Sequence, residues 1–294
     1  MESIEIHAEI TNKCILKCKH CSSIANTNDK ELELYEFGKF IEKISGDKKI
    51  KLTLTGGEPL LRDSLEELLQ SIKELNKDIK VGLFTTGLIK DGSSIESIGE
   101  DRINRLKELG LNFVYVSIYS NNGIEHDNIT QENLSFNKTI VSINRFVNAG
   151  IETNINMPLM KSNIDKLGDI IKYLRNIEVN EIRLLKLIKH GIAEKNWDEI
   201  GLTKEEQLKA IDRIKQNLDE KVSFGGFLEI MSCQYITKDK RCLAGKNKLY
   251  IDNNGDVYPC GAVKLNRKTK ICTIYESFDI ESYNKSGGLC LAFN

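Results

Sequence analysis

Three cysteines stand close together near the start of the chain, in the stretch NKCILKCKHCSS. Cys14, Cys18 and Cys21 have the spacing C-x3-C-x2-C. Thiolates clustered in this way bind either zinc or an iron–sulfur cluster. A structural zinc ion needs four protein ligands, and His20 is the candidate for the fourth, in a cramped position between two of the cysteines. A [4Fe–4S] cluster bound by three cysteines keeps one iron open to a further ligand, so the absence of a fourth cysteine favours the cluster.

A second candidate binding loop, TGGEP, covers residues 55–59 and directly follows a predicted strand. Gly56 and Gly57 lack a β-carbon, which lets their backbone approach a ligand closely. Pro59 favours an extended conformation at Glu58, so the carbonyl and the carboxylate of that residue can both face a ligand ammonium. A Gly-Gly-x-Pro sequence is by itself also an ordinary turn, and its meaning depends on the strand before it.

Alternating strand and helix patterns position both loops. Short segments rich in β-branched and aromatic residues predict six strands, at 4–10, 50–55, 79–84, 113–119, 151–157 and 181–188. Amphipathic helical patterns lie between them, with capping boxes predicted at Ser64 with Glu67 and at Thr203 with Glu206. Strands separated by helices indicate an α/β fold with a parallel sheet, either a barrel or an open doubly wound sheet. In both, ligands bind at the carboxyl ends of the strands, where the two loops are predicted to lie.

The chain changes character after residue 220. Residues 221–294 lack long periodic patterns and hold five of the eight cysteines. The stretch LYIDNNGDVYPC predicts a β-hairpin with Asn254 and Gly255 at its turn. We therefore predict two domains, residues 1–220 and a small cysteine-rich module at 221–294.

Composition restricts the class of protein. The formal net charge is −1, and 42 basic and 43 acidic residues are interspersed, which argues against nucleic acid or a charged membrane surface as a partner. No apolar run approaches the roughly 20 residues of a membrane helix, and the start MESIEIHAEI lacks a signal-peptide pattern. We expect a cytoplasmic protein with reduced thiols, so the cysteines indicate metal binding rather than disulfides.

The cysteine loop after the first strand and GGEP after the second together resemble the radical SAM superfamily. The resemblance implies a partial (β/α)6 barrel with a [4Fe–4S] cluster on Cys14, Cys18 and Cys21. It also implies that S-adenosylmethionine (SAM) binds the open iron and is cleaved reductively to a 5′-deoxyadenosyl radical, which abstracts a hydrogen atom. Residues expected to contact SAM are Gly56, Gly57, Glu58, Pro59, Thr86, Ser117, Asn154 and Arg183.

Several of these assignments have a structural alternative. A strand serine such as Ser117 is often satisfied by a backbone hydrogen bond. Asn154 and Asn156 can pair with neighbouring backbone instead of a ribose, and Arg183 can be a surface charge. The segment EHDNIT, residues 125–130, resembles a Glu-His-Asp segment of peptide-modifying members, but Thr130 and Gln131 follow where relatives carry an arginine.

The C-terminal cysteines resemble the opening of the SPASM and twitch modules, which bind auxiliary [4Fe–4S] clusters. The cysteine run that completes a SPASM module is missing from this sequence, so the resemblance is to the shorter, twitch-like form with one auxiliary cluster. Its expected ligands are Cys242, Cys260, Cys272 and Cys290. One of the eight cysteines is then spare, with Cys233 the first choice over Cys272 and Cys290. Cys233 is interpreted as a hydrogen-atom donor, an auxiliary ligand or a buried structural thiol.

Family members with such modules most often modify ribosomally made peptides. The single auxiliary cluster and the spare cysteine favour Cα epimerisation from L to D, with Cys233 as hydrogen donor. Alternatives are formation of a thioether or crosslink, oxidation of a small-molecule alcohol and, outside enzymes, a zinc-binding structural protein. We therefore expect an isomerase or oxidoreductase whose partners are a precursor peptide and a flavodoxin- or ferredoxin-type reductant. Because the first strand is predicted from residue 4, we expect no leader-binding domain before it.

Overall fold

One mixed sheet organises the chain in the computed structural model, which describes residues 3–22, 31–225, 244 and 247–280. Within these residues, ten strands are ordered β12-β11-β10-β1-β2-β3-β6-β7-β8-β9, and β4 and β5 form a separate hairpin. The strands are β1 Ser3–Thr11, β2 Lys49–Gly56, β3 Ile79–Thr85, β4 Leu88–Asp91, β5 Ser94–Ser97, β6 Leu111–Ser117, β7 Glu152–Leu159, β8 Glu181–Lys186, β9 Val222–Gly225, β10 Lys248–Ile251, β11 Asp256–Tyr258 and β12 Cys272–Thr273.

Helices connect the parallel strands and cover one face of the sheet. They are α1 Leu34–Ser45, α2 Leu65–Glu74, α3 Glu100–Glu108, α4 Gly123–Thr130, α5 Ser135–Asn148, α6 Leu167–Arg175, α7 Ile192–Lys195, α8 Trp197–Ile200 and α9 Lys204–Asn217. No helix of the described residues is both long and apolar enough to span a bilayer.

Side-chain alternation along β1 separates an apolar core from a polar interior. Ile4, Ile6 and Ile10 are at most 1% exposed and belong to a core cluster that includes Phe37 and Ile41 of α1. The intervening residues point to the opposite face, because successive strand side chains alternate. The same alternation in the neighbouring strands lines the inner, concave side of the sheet with polar and charged groups. The site described below lies on this side.

The six predicted strands correspond to β1, β2, β3, β6, β7 and β8, which pair in parallel in that order. The predicted α/β barrel-type sheet is therefore confirmed. The predicted hairpin is also present as β10 and β11, and Gly255 has a φ of 84° at its turn. The sequence did not predict the β4–β5 hairpin or β9, which extends the sheet beyond β8.

The C-terminal segment joins the barrel sheet directly. β10 pairs in parallel with β1, and β11 and β12 continue the sheet as antiparallel strands. The division of the chain at residue 220 stays a prediction.

Of the two predicted capping boxes, that of Thr203 with Glu206 is present at the start of α9. The box predicted at Ser64 is wrong, because the Ser64 side chain makes no cap hydrogen bond. Its hydroxyl instead accepts a hydrogen bond from Arg62 Nε at 2.9 Å, which takes it away from the helix start.

Candidate active site

The cysteine loop follows β1 and is anchored by backbone hydrogen bonds from two sides. The amides of Lys17 and Lys19 donate to the carbonyls of Thr130 and Ile129, at 3.2 and 2.9 Å, at the end of α4. The carbonyl of Cys21 accepts from the amide of Ala193 at 3.0 Å. The loop is therefore fixed at the carboxyl ends of the strands before any ligand binds. The EHDNIT segment forms most of α4, so its role in the structure is to anchor the cysteine loop.

The three thiols of this loop share one electrostatic environment. Cys14 is exposed, whereas Cys18 and Cys21 are partly buried. Burial, followed by the nearby Cys14 and Cys21 thiols, raises the pKa of Cys18 well above its usual value, although a hydrogen bond with Tyr119 opposes this. Binding a metal centre would have to displace the protons of these thiols, because the thiolate is the ligand.

The GGEP loop packs backbone to backbone against the cysteine loop. Gly57 N donates to Thr11 O at 2.8 Å, and Glu58 N donates to Lys13 O at 2.7 Å. A β-carbon on Gly56 would lie 2.2 Å from Thr11 O, and one on Gly57 would lie 2.0 Å from Lys13 O. Both glycines are therefore required by contact with protein backbone, in addition to any contact with a ligand.

The Glu58 side chain joins the ends of β2 and β3. Its carboxylate is 1% exposed and accepts hydrogen bonds from Thr85 Oγ1 at 2.5 Å and from Thr86 N and Oγ1 at 2.7 and 2.6 Å. Burial raises the pKa of this carboxyl, and these hydrogen bonds work against the rise. In this arrangement the Glu58 carboxylate and the Thr86 hydroxyl contact each other, which holds the GGEP loop against the end of β3.

The other predicted SAM contacts lie on the inner side of the sheet. Ser117 is half-buried at the end of β6 and hydrogen bonds to Tyr119. Asn154 and Asn156 are buried on β7, and Asn154 Nδ2 donates to Glu152 Oε1 at 3.2 Å. Arg183 of β8 is half-buried and donates through Nε to Asn156 Oδ1 at 3.0 Å, so it is not a surface charge.

Two of the five C-terminal cysteines lie in the described part of the chain. Cys260 directly follows the β10–β11 hairpin and is partly buried. Cys272 pairs with Val257, is 8% exposed and belongs to the apolar core cluster. Burial raises its pKa to about 12. Cys233, Cys242 and Cys290 lie outside the described residues.

The inner face also carries a network of ionisable groups that the sequence patterns did not lead us to predict. His7 Nε2 and Glu5 Oε1 are 2.7 Å apart, and Lys248 Nζ lies 3.0 Å from the same carboxylate. Four residues after Glu5 in β1, Glu9 accepts hydrogen bonds from Tyr250 OH at 2.6 Å and from Lys264. The alternation of IEIHAEI was the available signal, since the same pattern that buries the isoleucines turns Glu5, His7 and Glu9 inward.

The three thiols of the cysteine loop suit an iron–sulfur cluster better than a single zinc ion. Among the described residues, no three His, Cys, Asp or Glu side chains are arranged to hold one metal ion, as a zinc site would require. In a [4Fe–4S] cluster each cysteine binds a different iron, so its thiolates need not converge on one point. His20 Nδ1 is buried and has no hydrogen-bond partner among these residues, which leaves a polar atom for a ligand beside the loop.

The family model described as "Radical SAM superfamily" matches residues 8–174, more than half of the chain. The chain therefore belongs to the radical SAM superfamily, as the cysteine and GGEP loops predicted. Members of this family use SAM and a [4Fe–4S] cluster, which the loop of Cys14, Cys18 and Cys21 is suited to hold.

Three known proteins are similar to this chain, two in sequence and one in fold. The PqqA peptide cyclase of Rhizobium meliloti (strain 1021) is 27% identical over 262 residues, covering 87% of this chain and 67% of that protein. The GTP 3′,8-cyclase of Helicobacter pylori (strain HPAG1) is 30% identical over 286 residues, covering 91% and 78%. The crystal structure of Streptococcus suis SuiB bound to precursor peptide SuiA matches the fold with a TM-score of 0.69 at 16% identity, covering 96% of this chain and 65% of that one. The chain thus spans about two thirds of the length of the first and third of these proteins.

Proposed function

We propose that this chain is a radical SAM enzyme that abstracts a hydrogen atom from a ribosomally made peptide and epimerises a Cα from L to D. The observation that carries the proposal is the packing of the cysteine loop against the GGEP loop at the carboxyl ends of β1 and β2. The choice of a peptide is supported by the similarity to a PqqA peptide cyclase and by the fold shared with SuiB, whose structure contains a precursor peptide.

Cys14, Cys18 and Cys21 would hold a [4Fe–4S] cluster, and the residues that line the SAM site would be Gly56, Gly57, Glu58, Pro59, Thr86, Ser117 and Asn154. When bound, these groups supply the electron and the 5′-deoxyadenosyl radical that starts the reaction. The chain's own contribution is to fix the two loops against each other, since Gly57 and Glu58 donate to the backbone of the cysteine loop. An auxiliary [4Fe–4S] cluster on Cys242, Cys260, Cys272 and Cys290 belongs to the same proposal.

Epimerisation needs a hydrogen donor on the face of the Cα radical opposite to the face of abstraction. A Cys233 thiol would give its hydrogen atom to the planar Cα radical and become a thiyl radical. One electron from a flavodoxin- or ferredoxin-type reductant and one proton from solvent would then restore the thiol. A thiol hydrogen exchanges with solvent, so the new Cα–H bond should carry a solvent hydrogen.

The reaction is tested with anaerobically reconstituted enzyme, SAM and a reductant in D2O. The substrates to be tried are small peptides encoded close to the gene for this chain, if such peptides are encoded there, and the products are analysed by mass spectrometry. Epimerisation predicts a gain of one deuterium at a Cα with unchanged bonding. A loss of two hydrogens from the peptide would contradict epimerisation and indicate a crosslink, a thioether or an oxidation.

The position of Cys272 favours formation of a crosslink, a thioether or an oxidation as the competing function. Cys272 lies in the apolar core cluster, where a thiol packs as a small apolar side chain. If Cys272 is the spare cysteine, Cys233 is needed as the fourth auxiliary ligand and cannot donate hydrogen. Iron analysis of Cys233→Ala and Cys272→Ala separates the two, because only the variant that removes a ligand should lose auxiliary iron.

The 30% identity to a GTP 3′,8-cyclase makes GTP the necessary comparison substrate. GTP should leave the rate of 5′-deoxyadenosine formation unchanged in the same anaerobic assay. Conversion of GTP would overturn the proposed peptide substrate while leaving the family assignment intact.

The ligand assignment of the first cluster has its own test. Cys18→Ala should abolish formation of 5′-deoxyadenosine, because the cluster loses one of three thiolates. Ser22→Ala, a change in the same loop, is the control and should keep the wild-type rate. The measurement is chromatography of 5′-deoxyadenosine with iron analysis of both variants, and retained cleavage by Cys18→Ala would contradict the site.

A further inference from the structure

Arg183 is held rigidly inside the barrel. Its guanidinium carbon lies 4.0 Å from the ring centroid of Tyr115 and 5.3 Å from that of Phe84. Nε donates to Asn156 Oδ1, which is itself buried. Stacking on two aromatic rings and one hydrogen bond fix the plane of the guanidinium before a ligand arrives.

The two terminal nitrogens of Arg183 have no partner among the described residues. No carboxylate of the described chain lies within ion-pair distance of this guanidinium, and Nε makes its one hydrogen bond. The terminal nitrogens are not among the buried polar atoms that lack a partner, so they face accessible space rather than packed protein. The guanidinium therefore presents an open pair of parallel N–H donors.

Two other cations of the inner face are already paired with carboxylates. Lys248 lies 3.0 Å from Glu5, and Lys264 pairs with Glu9. Lys51 has no ion pair with a described residue and donates to Tyr115 OH at 3.3 Å. Glu181 of the same face accepts a hydrogen bond from Tyr115 OH at 3.2 Å, so the charges around Arg183 are nearly balanced, which suits one carboxylate of a ligand rather than a triphosphate.

We propose that Arg183 forms a carboxylate-binding subsite occupied by an acidic group of the peptide substrate, an inference that rests on the proposed function. Two parallel N–H donors match the two oxygens of a carboxylate. Arg183 is the third residue of β8, three residues before that strand ends, whereas the cysteine and GGEP loops follow the ends of β1 and β2. Four strands of the sheet separate β1 from β8. The guanidinium packs on Phe84 and Tyr115, which precede the last residues of β3 and β6, so it lies below the strand ends and is separated along the sheet from the two loops, a position that suits a substrate group.

The experiment measures covalent labelling of arginine by phenylglyoxal in the anaerobic holoenzyme. Peptide mapping by mass spectrometry gives the rate at Arg183, with the exposed Arg105 as internal reference. The probes are a pool of short peptides with one glutamate, the same pool with glutamine, and SAM alone. The glutamate pool should slow labelling of Arg183 severalfold, and the glutamine pool and SAM should not.

Three results would overturn the proposal. Equal labelling under all conditions would show that no anion binds, and equal protection by the two pools would exclude a role for the carboxylate. Protection by SAM alone would assign the guanidinium to the cofactor's carboxylate instead of the substrate's. Labelling needs no turnover, so a protein that fails to modify peptides can still give a clear result, and the two proposals can fail separately.

Once a substrate has been identified, the KM of variants at Arg183 gives a second test. Arg183→Gln should raise KM for a carboxylate-bearing peptide about 10- to 100-fold, the discrimination expected from hydrogen bonds to a charged group, with little change in kcat. The penalty should disappear when the peptide's glutamate is replaced by glutamine. Arg183→Lys should recover only part of the affinity, because an ammonium lacks the planar pair of donors. An equal KM increase for both peptides would indicate a merely structural role.

Discussion

At the scale of single residues, His7 shows how a buried imidazole on the inner face of the barrel is kept uncharged. Its ring packs edge-on against Phe84 with centroids 4.9 Å apart, and its Nε2 contacts Glu5. Burial lowers the pKa of His7 to about 4, against the opposing hydrogen bond with Glu5. Burial alone would raise the pKa of the Glu5 carboxyl, but the hydrogen bond with His7 and the charge of Lys248 lower it below its usual range. At neutral pH the pair is therefore a neutral imidazole and a carboxylate.

The depressed pKa of His7 predicts that acid destabilises the fold. Between pH 6.5 and about 4 the unfolded chain binds a proton at this residue that the folded chain does not, so the contribution is complete above pH 6.5 and is lost as the pH falls. At pH 5.5 the loss should be about 1 kcal/mol in the free energy of unfolding. The measurement is urea unfolding of wild type and His7→Gln at pH 7.5 and 5.5. The stability advantage of wild type should shrink by that amount at the lower pH; a constant difference would contradict the shifted pKa.

At the scale of elements, the site depends on two loops that touch through their backbones. The β-carbon positions of Gly56 and Gly57 are filled by the carbonyls of Thr11 and Lys13. Glu58 ties the same loop to the end of β3 through Thr85 and Thr86. Three consecutive strand ends, those of β1, β2 and β3, are therefore joined into one rigid rim.

Gly57→Ala should separate the two loops. The added β-carbon would lie 2.0 Å from a backbone oxygen, so the loop must move, and we expect a loss of about 1–3 kcal/mol of stability together with weaker SAM binding. Gly38→Ala is the matched control, because nothing lies within 4 Å of its β-carbon position and it sits in helix α1. The control should raise stability by about 0.5–1 kcal/mol. Thermal unfolding and equilibrium SAM binding measure both effects, and equal behaviour of the two variants would contradict the contact.

The sequence predicted the elements that local patterns encode. Six short apolar strands, the loops after the first two and the hairpin at Gly255 each have a signature within a few residues. The pairing of β10 with β1 has none, because parallel strands far apart in the chain share no local motif. The contacts of the site residues could not be predicted either, because only the assembled barrel creates them. The Glu58 carboxylate accepts hydrogen bonds from Thr85 and Thr86, and Arg183 stacks on Tyr115 and Phe84.

At the scale of the whole molecule, a buried ion pair joins the C-terminal segment to the barrel. Glu9 and Lys264 have side chains 8% and 9% exposed, and Tyr250 OH also donates to the Glu9 carboxylate. Gly261 lets the Tyr250 ring pack beside Cys260, since a β-carbon there would lie 2.7 Å from the ring. This contact fixes Cys260, a proposed auxiliary ligand, relative to the strand that leads into the first cysteine loop.

Lys264→Met should loosen this junction. Removing one partner leaves the Glu9 carboxylate buried without its counter-ion, at a cost of about 3–5 kcal/mol. Hydrogen exchange should then quicken at the amides of β10 more than at those of β6. Lys270→Met, which breaks a more exposed pair with Asp256, is the control and should cost less than about 1 kcal/mol. Unchanged exchange in β10 for Lys264→Met would show that the pairing with β1 alone holds the segment.

The place of β10 beside β1 also matters while the protein is being made. Ala8 pairs with Ile251, about 240 residues further along the chain. At typical rates of synthesis, the ribosome needs about 10–50 seconds to deliver the second partner after the first. During that interval β1, with its alternating isoleucines, is an uncovered edge strand that can pair with other nascent chains. We expect the yield of this protein in cells to depend on chaperones that shield the edge during this interval, more than on the stability of the finished molecule.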